Sequence, residues 1–197
     1  SGLVGSEMCI RDRESRHKKE AKKGPSYIVS REANLAKKWW LEHIDRNGEN
    51  IGELAMICSY AAQVALVQTK VRQELCFSQK TKWKNLANFE ELMKLVNARI
   101  ATVDSYQGSQ SRRVLGTVGR SNQHGNIGFI EVFERFVVMC TRAQDELYLI
   151  LDSSTFLNNN SGKQEINNSA FIRNLIEKAI AFAKSDSNSA KYIVLEN

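Results

Sequence analysis

Apolar and polar positions run along this chain in blocks that predict strands and helices in turn. Ser26 to Ser30 (SYIVS) is a short β-prone run after Gly24-Pro25. From Arg31 to Arg46, Leu35, Ala36, Trp39, Trp40, His43 and Ile44 recur at spacings of three and four. That is the stripe of an amphipathic helix, and Asn47-Gly48 ends it. Leu54 to Ser59 (LAMICS) is a continuous apolar run, as in a strand buried on both faces of a parallel sheet. A helix over Tyr60–Phe77 follows, with Val64, Val67, Val71 and Leu75 in its stripe. A second helix is expected around Phe89–Val96, then strands over Arg99–Val103 and Arg113–Val118. Ser121–Gly128 (SNQHGNIG) has the composition of a loop. Glu131–Arg142 reads as helix and Glu146–Leu151 (ELYLIL) as a buried strand. After a polar, low-complexity stretch over Asn158–Asn168 comes a helix, Phe171–Lys184. Its inward side is expected to hold Phe171, Ile172, Leu175, Ile176, Ala179 and Ile180, and Tyr192–Leu195 closes as a strand. This β-then-α order predicts an α/β fold, an open and largely parallel sheet covered on both faces.

Composition narrows the class. Hydrophobic residues make up 42% and charged residues 25% of the 197, ordinary for a globular domain. One proline and 11 glycines exclude a collagen-like or proline-rich chain. No run of 18 apolar residues occurs, so no membrane span is expected. The four cysteines form no CxxC pair, which argues against a zinc ribbon or a dense disulfide framework. Reduced thiols in an intracellular compartment, cytoplasmic or nuclear, are the expectation.

The net charge of +6 is unevenly placed. Residues 1–24 hold seven Lys/Arg against four acidic residues, half of the net charge, and the remainder is only weakly basic. Such a balance permits nucleic-acid binding without demanding it. Met8-Cys9-Ile10-Arg11-Asp12-Arg13 reads as the translation of a sequencing-transposon end. Residues 1–13 are therefore read as assembly debris, the alternative being a basic leader, and residues 14–24 as a charged linker or helix end. On this reading, 1–24 stands outside the fold and the domain runs over residues 25–197.

Ligands of doubly wound sheets collect at the carboxyl ends of strands, and the polar clusters are assigned there. They are Ser59-Tyr60 with Gln63, Asp104-Ser105-Tyr106-Gln107-Gly108, and Thr141-Arg142. A guanidinium at 142 offers forked donors to a phosphate, and Gly108 allows close backbone approach. Each has a blander reading: a surface arginine, and an Asp-Ser helix cap. Trp39-Trp40 suits base stacking, but its helical position favours core with partial exposure. His124 is expected to be a solvated loop residue and Cys140 a core cysteine. The Asn159-Asn160-Ser161 and Asn167-Asn168-Ser169 glycosylation patterns are incidental in a chain without a secretory signal.

The order of four segments carries a resemblance. ICSYAAQ (57–63), IATVDSYQGSQ (100–110), GRSNQHGNIGF (119–129) and ERFVVMCTRAQDELYLIL (134–151) resemble the motifs of the second, C-terminal RecA-like domain of superfamily 1 RNA/DNA helicases. The nonsense-mediated-decay and senataxin-like branch is the nearest in pattern. SYIVSREA (26–33) and the closing YIVLEN are also similar to the family, so the likeness covers roughly 25–197.

The resemblance implies a RecA-like, P-loop-NTPase-type three-layer sandwich with a mostly parallel central sheet. It also implies roles. Arg142 matches the arginine that contacts the γ-phosphate, where a positioned cation stabilises transferring charge. Gln107, Gly108, Gln110, Tyr60, Gln63 and Arg135 match positions that line the ATP cleft. Thr102 and Ser105 are expected to contact the backbone of a bound single strand of RNA or DNA, contacts that read no sequence. The chain departs from the family at Cys58-Ser59 (Thr-Pro), Gln110 (Glu), Glu134 (the first of two arginines) and Val137–Cys140.

No G-x-x-x-x-G-K-[ST] phosphate loop and no Asp-Glu magnesium pair is present. In the family those belong to the first RecA-like domain. The implication is half of a composite site for ATP with Mg2+, with no metal ligand in this chain and no ATPase activity without its partner domain. The alternative is a degenerate, non-catalytic nucleic-acid or protein-interaction module derived from such a domain.

Overall fold

A computed structural model describes residues 7–12, 20–47, 51–77, 89–157, 167–185 and 190–194. Its strands are β1 (Glu7–Asp12), β2 (Ala21–Lys23), β3 (Ser26–Ile28), β4 (Leu54–Cys58), β5 (Ile100–Thr102), β6 (Ser111–Thr117), β7 (Ala143–Ile150) and β8 (Ala190–Val194). Its α-helices are α1 (Ser30–Asn47), α2 (Ala61–Phe77), α3 (Phe89–Arg99), α4 (Phe133–Cys140), α5 (Ser153–Leu157) and α6 (Asn167–Ser185). Six strands form one sheet in the order β5-β4-β6-β7-β1-β8, and every pairing in it is parallel.

The three layers follow from the two-residue period of a strand. In β4, Ala55 and Ile57 face one side, while Leu54, Met56 and Cys58 face the other, and all five are fully buried. Ala55 and Ile57 join Val114, Leu147 and Leu149 under Phe136 and Met139 of α4 and Ile172 and Ile176 of α6. Leu54 and Met56 join Leu115 and Ile150 under Trp39 and Trp40 of α1, Val67 and Val71 of α2, and Leu92 and Val96 of α3. The sheet is therefore apolar on both faces, which is why its strands read as continuous runs.

Gly116 in β6 is a packing requirement. A Cβ there would stand 2.6 Å from Met139 Sδ and 2.9 Å from Leu149 Cδ2. The bare backbone lets α4 settle onto the sheet. Cys58 is fully buried in one core and Cys140 is half-buried against the other, and desolvation pushes each thiol up to about 12.

Several expectations are corrected. The segment set aside at the start carries β1, which pairs with both β7 and β8, and β2. Ser26–Ile28 is a strand, but it pairs antiparallel with β2 in a separate hairpin, not with the main sheet. Both tryptophans are fully buried, with no exposed part. On α6, Ile172 and Ile176 are buried, whereas Phe171 and Leu175 remain 52% and 42% exposed, because the inward face is narrower than the apolar stripe. The side chains of Ala179 and Ile180, residues 158–166 and Leu195 lie outside the described residues. His124 is exposed in its loop, as expected. No helix among the described residues is long and apolar enough to cross a membrane.

Candidate functional site

Polar side chains gather at both edges of the parallel sheet. At the carboxyl edge, Ser59 follows β4 and its N–H donates to Thr117 O at the end of β6. Tyr60 comes next and is nearly buried. Its hydroxyl accepts from Phe129 N at 3.1 Å and from Arg120 Nη1 at 3.4 Å. Gln63, in the first turn of α2, is fully buried. Its Oε1 accepts from Val29 N at 2.9 Å and its Nε2 donates to Val29 O at 3.2 Å. The amide thus satisfies the main chain entering α1, as a buried side chain must.

Around them lies a knot that the sequence reading missed. Arg120 donates to both carboxylate oxygens of Glu20 and stacks over the Tyr27 ring at 4.1 Å. Burial of the Arg120 guanidinium opposes its charge, but hydrogen bonds to Tyr60 and Glu20 outweigh that and raise its pKa. Glu32 accepts from Gly119 N at 2.7 Å, and Ser121 donates to Asp152 at 2.5 Å. Gly119 holds φ +70, a conformation glycine adopts without strain.

At the other edge, Arg142 precedes β7. This corrects the expectation of one shared rim. In a parallel sheet a residue just before a strand stands at the amino end, and Tyr60 and Gln63 follow a strand at the opposite end. The Arg142 guanidinium is half-buried and seated on oxygen atoms. Its Nε donates to Val138 O at 3.1 Å, Nη1 to Ser109 O at 3.4 Å, and Nη2 to Thr141 Oγ1 at 3.0 Å. Among the described residues no carboxylate joins these contacts. Gln110 is exposed, and its Oε1 accepts from Gln144 Nε2 at 3.3 Å.

The segment 103–110 crosses from one edge to the other, running from the end of β5 to the start of β6. Thr102 and Ser105 are brought together, hydroxyl to hydroxyl at 2.8 Å, and Thr102 Oγ1 also accepts from Ser105 N. Gln107 and Gly108 form the exposed tip, with Gly108 at φ +84. Arg135, in the first turn of α4, lies over the Phe129 ring at 3.9 Å and 3.8 Å from Asp104. It therefore faces the crossing segment from the carboxyl side. Among the described residues no group of three His, Cys, Asp or Glu is placed to hold a metal ion.

A family model described as an AAA domain matches residues 4–154, beginning inside the segment read as a leader. DNA-binding protein SMUBP-2 of Mesocricetus auratus is 29% identical over 130 residues, covering 66% of this chain and 10% of that protein. The Mus musculus SMUBP-2 is 30% identical over the same length. The NFX1-type zinc finger-containing protein 1 homolog of Caenorhabditis elegans is 37% identical over 82 residues, 40% of this chain and 3% of that protein. The chain spans about a tenth of the length of the SMUBP-2 relatives. With three-quarters of its residues inside the family match, the chain belongs to the AAA domain family, as a domain of the superfamily 1 helicase type.

Proposed function

We propose that this chain is the C-terminal RecA-like half of an ATP-dependent nucleic-acid helicase that acts inside the cell. Its amino edge supplies Arg142 to a nucleotide cleft shared with a first RecA-like domain. Its carboxyl side supplies Thr102 and Ser105 to a track for single-stranded RNA or DNA. The nucleic-acid part draws on the similarity to SMUBP-2, a DNA-binding protein.

The observation that carries the reading is the seat of Arg142. A guanidinium has five N–H donors. Three point at Val138 O, Ser109 O and Thr141 Oγ1. One N–H on each terminal nitrogen is left over, the forked pair suited to phosphate oxygens. Main-chain carbonyls hold the cation in place without neutralising it, so it needs no reorganisation to meet developing negative charge. Bound ATP would bring the γ-phosphoryl group on which such a cation acts, with Mg2+ ligated by the first domain. Gln107, Gly108 and Gln110 border the same edge, while Tyr60 and Gln63 act at a distance by anchoring the carboxyl edge. The cleft then requires the amino edge of this sheet to face the phosphate-binding edge of the first domain. This domain without that partner has no ATPase activity.

In the full-length protein, Arg142→Ala is expected to lower nucleic-acid-stimulated ATP turnover by about 10³-fold or more, with strand binding retained. Unchanged turnover would refute the role of Arg142. One observation favours a second reading, a non-catalytic module: the neutral Gln110 is tied to Gln144. Strand binding by a full-length protein with no measurable ATPase would support that reading instead.

A further inference from the structure

A compact polar cluster lies directly behind the Arg142 seat. Tyr106 and Ser111 are each only 4% exposed, and their hydroxyl oxygens are 2.6 Å apart. Arg99, the last residue of α3, donates from Nη1 to the Tyr106 hydroxyl at 3.3 Å and to Ser111 Oγ at 3.4 Å. With Arg99 donating to both, one hydroxyl must give its hydrogen to the other, so the pair is closed.

Two main-chain bonds connect this cluster to Arg142. Ser111 N donates to Arg142 O at 3.0 Å, which fixes the backbone of residue 142. Ser109 N donates to Tyr106 O at 3.1 Å, closing a turn whose next oxygen, Ser109 O, receives Arg142 Nη1. The Tyr106 ring is sunk in the core cluster that also holds Phe136 and Ile130. The turn is thus anchored by a ring on one side and by a hydroxyl pair on the other. The Tyr106–Ser111 bond thus joins the turn that carries Ser109 O to the residue that holds the Arg142 main chain, while Val138 and Thr141 complete the seat from the end of α4.

We infer that Tyr106 and Ser111 are positioning residues for Arg142, holding its guanidinium at the amino edge without touching nucleotide themselves. This rests on the function proposed above. A cation set at a fixed place acts through its geometry, and a displacement of about an ångström is costly even when made from outside the reacting centre. The effect belongs to turnover and not to ground-state binding.

The test uses the full-length protein, with Tyr106→Phe, Arg142→Ala and the double variant measured in single turnover. ATP affinity, strand binding and melting temperature are recorded alongside. Loss of one buried hydrogen bond predicts that Tyr106→Phe lowers kcat roughly three- to tenfold, with KM and strand affinity within about twofold. In the Arg142→Ala background the same change is expected to have no further effect on kcat, because there is no guanidinium left to place. A merely structural role would lower both backgrounds equally, and that result overturns the inference. An unchanged kcat in Tyr106→Phe overturns it as well, while a collapse in Arg142→Ala leaves the functional reading standing. An Arg142→Ala protein with full turnover removes both. Should Tyr106→Phe fail to fold, Ser111→Ala breaks the same bond from its other end, and unchanged kcat there counts against the inference equally.

Discussion

Glu20 and Arg120, 100 residues apart, meet as a forked pair. Arg120 Nε reaches Glu20 Oε2 at 2.8 Å and Nη2 reaches Oε1 at 2.9 Å. The same carboxylate accepts from Ser121 N at 2.9 Å. The β2–β3 hairpin is thereby fastened to the end of β6.

Removing Arg120 leaves the Glu20 carboxylate, 14% exposed, without its counterion. Arg120→Ala is expected to cost about 3 kcal/mol or more of folding stability. Urea unfolding followed by circular dichroism checks this through the midpoint at unchanged slope. A loss below about 1 kcal/mol would place the pair among ordinary surface ion pairs.

Gly116→Ala is expected to cost about 1–3 kcal/mol, since the new methyl overlaps Met139 and Leu149. Met139→Ala should lower stability by itself. In the Gly116→Ala background it should cost much less, or restore part of the loss, because the space it opens is the space the methyl needs. Additive losses in the two backgrounds would show that Met139 is not what Gly116 accommodates.

Glu146 sets an acid limit. Burial of its carboxyl opposes ionisation, but hydrogen bonds from Tyr148 and Arg113 prevail and hold it below the usual glutamate range. A carboxylate lowered in the folded state stabilises it fully above the unfolded value of about 4.3, and the benefit disappears as pH falls through the lowered value. Wild type should therefore lose stability between about pH 5 and pH 3 more steeply than Glu146→Gln. Identical slopes in acid titrations of the two proteins would be incompatible with this role.

Cysteine chemistry provides a separate check. Cys58 and Cys140 carry thiols that burial pushes up to about 12, whereas Cys76 is exposed at the end of α2. Thiolate is the reactive form. Brief alkylation of the folded protein at pH 8, mapped by mass spectrometry, is expected to mark Cys76 and spare Cys58 and Cys140. Marking of Cys140 as fast as Cys76 would contradict its packing against the core from the last turn of α4.

The main sheet was legible because its strands are buried on both sides. LAMICS and ELYLIL show as unbroken apolar runs, and α1 and α2 show their stripes. The hairpin was not legible. Ala21–Lys23 is a charged, exposed strand whose partner is local but whose anchor, Arg120, is far along the chain. Glu20 looked like one acid among many bases, since nothing local distinguishes a carboxylate that meets its cation only after folding. The edge occupied by Arg142 was readable in principle. Strand polarity alone places the residue before β7 at the amino end, but grouping all polar motifs on one rim overrode it. Phe171 and Leu175 belong to the apolar stripe of α6, yet among the described side chains of that stripe it is Ile172 and Ile176 that join the core.

The segment 103–110 ties the floor of the sheet to its ceiling, along strands about 20 Å long at 3.3 Å per residue. Strands that stiff transmit little bending. A pull on Ser105 from above can therefore reach Ser109 below most directly along this short strap. Under the proposed function, cargo and fuel would bind at opposite ends of a rigid slab and communicate mechanically through half a dozen residues.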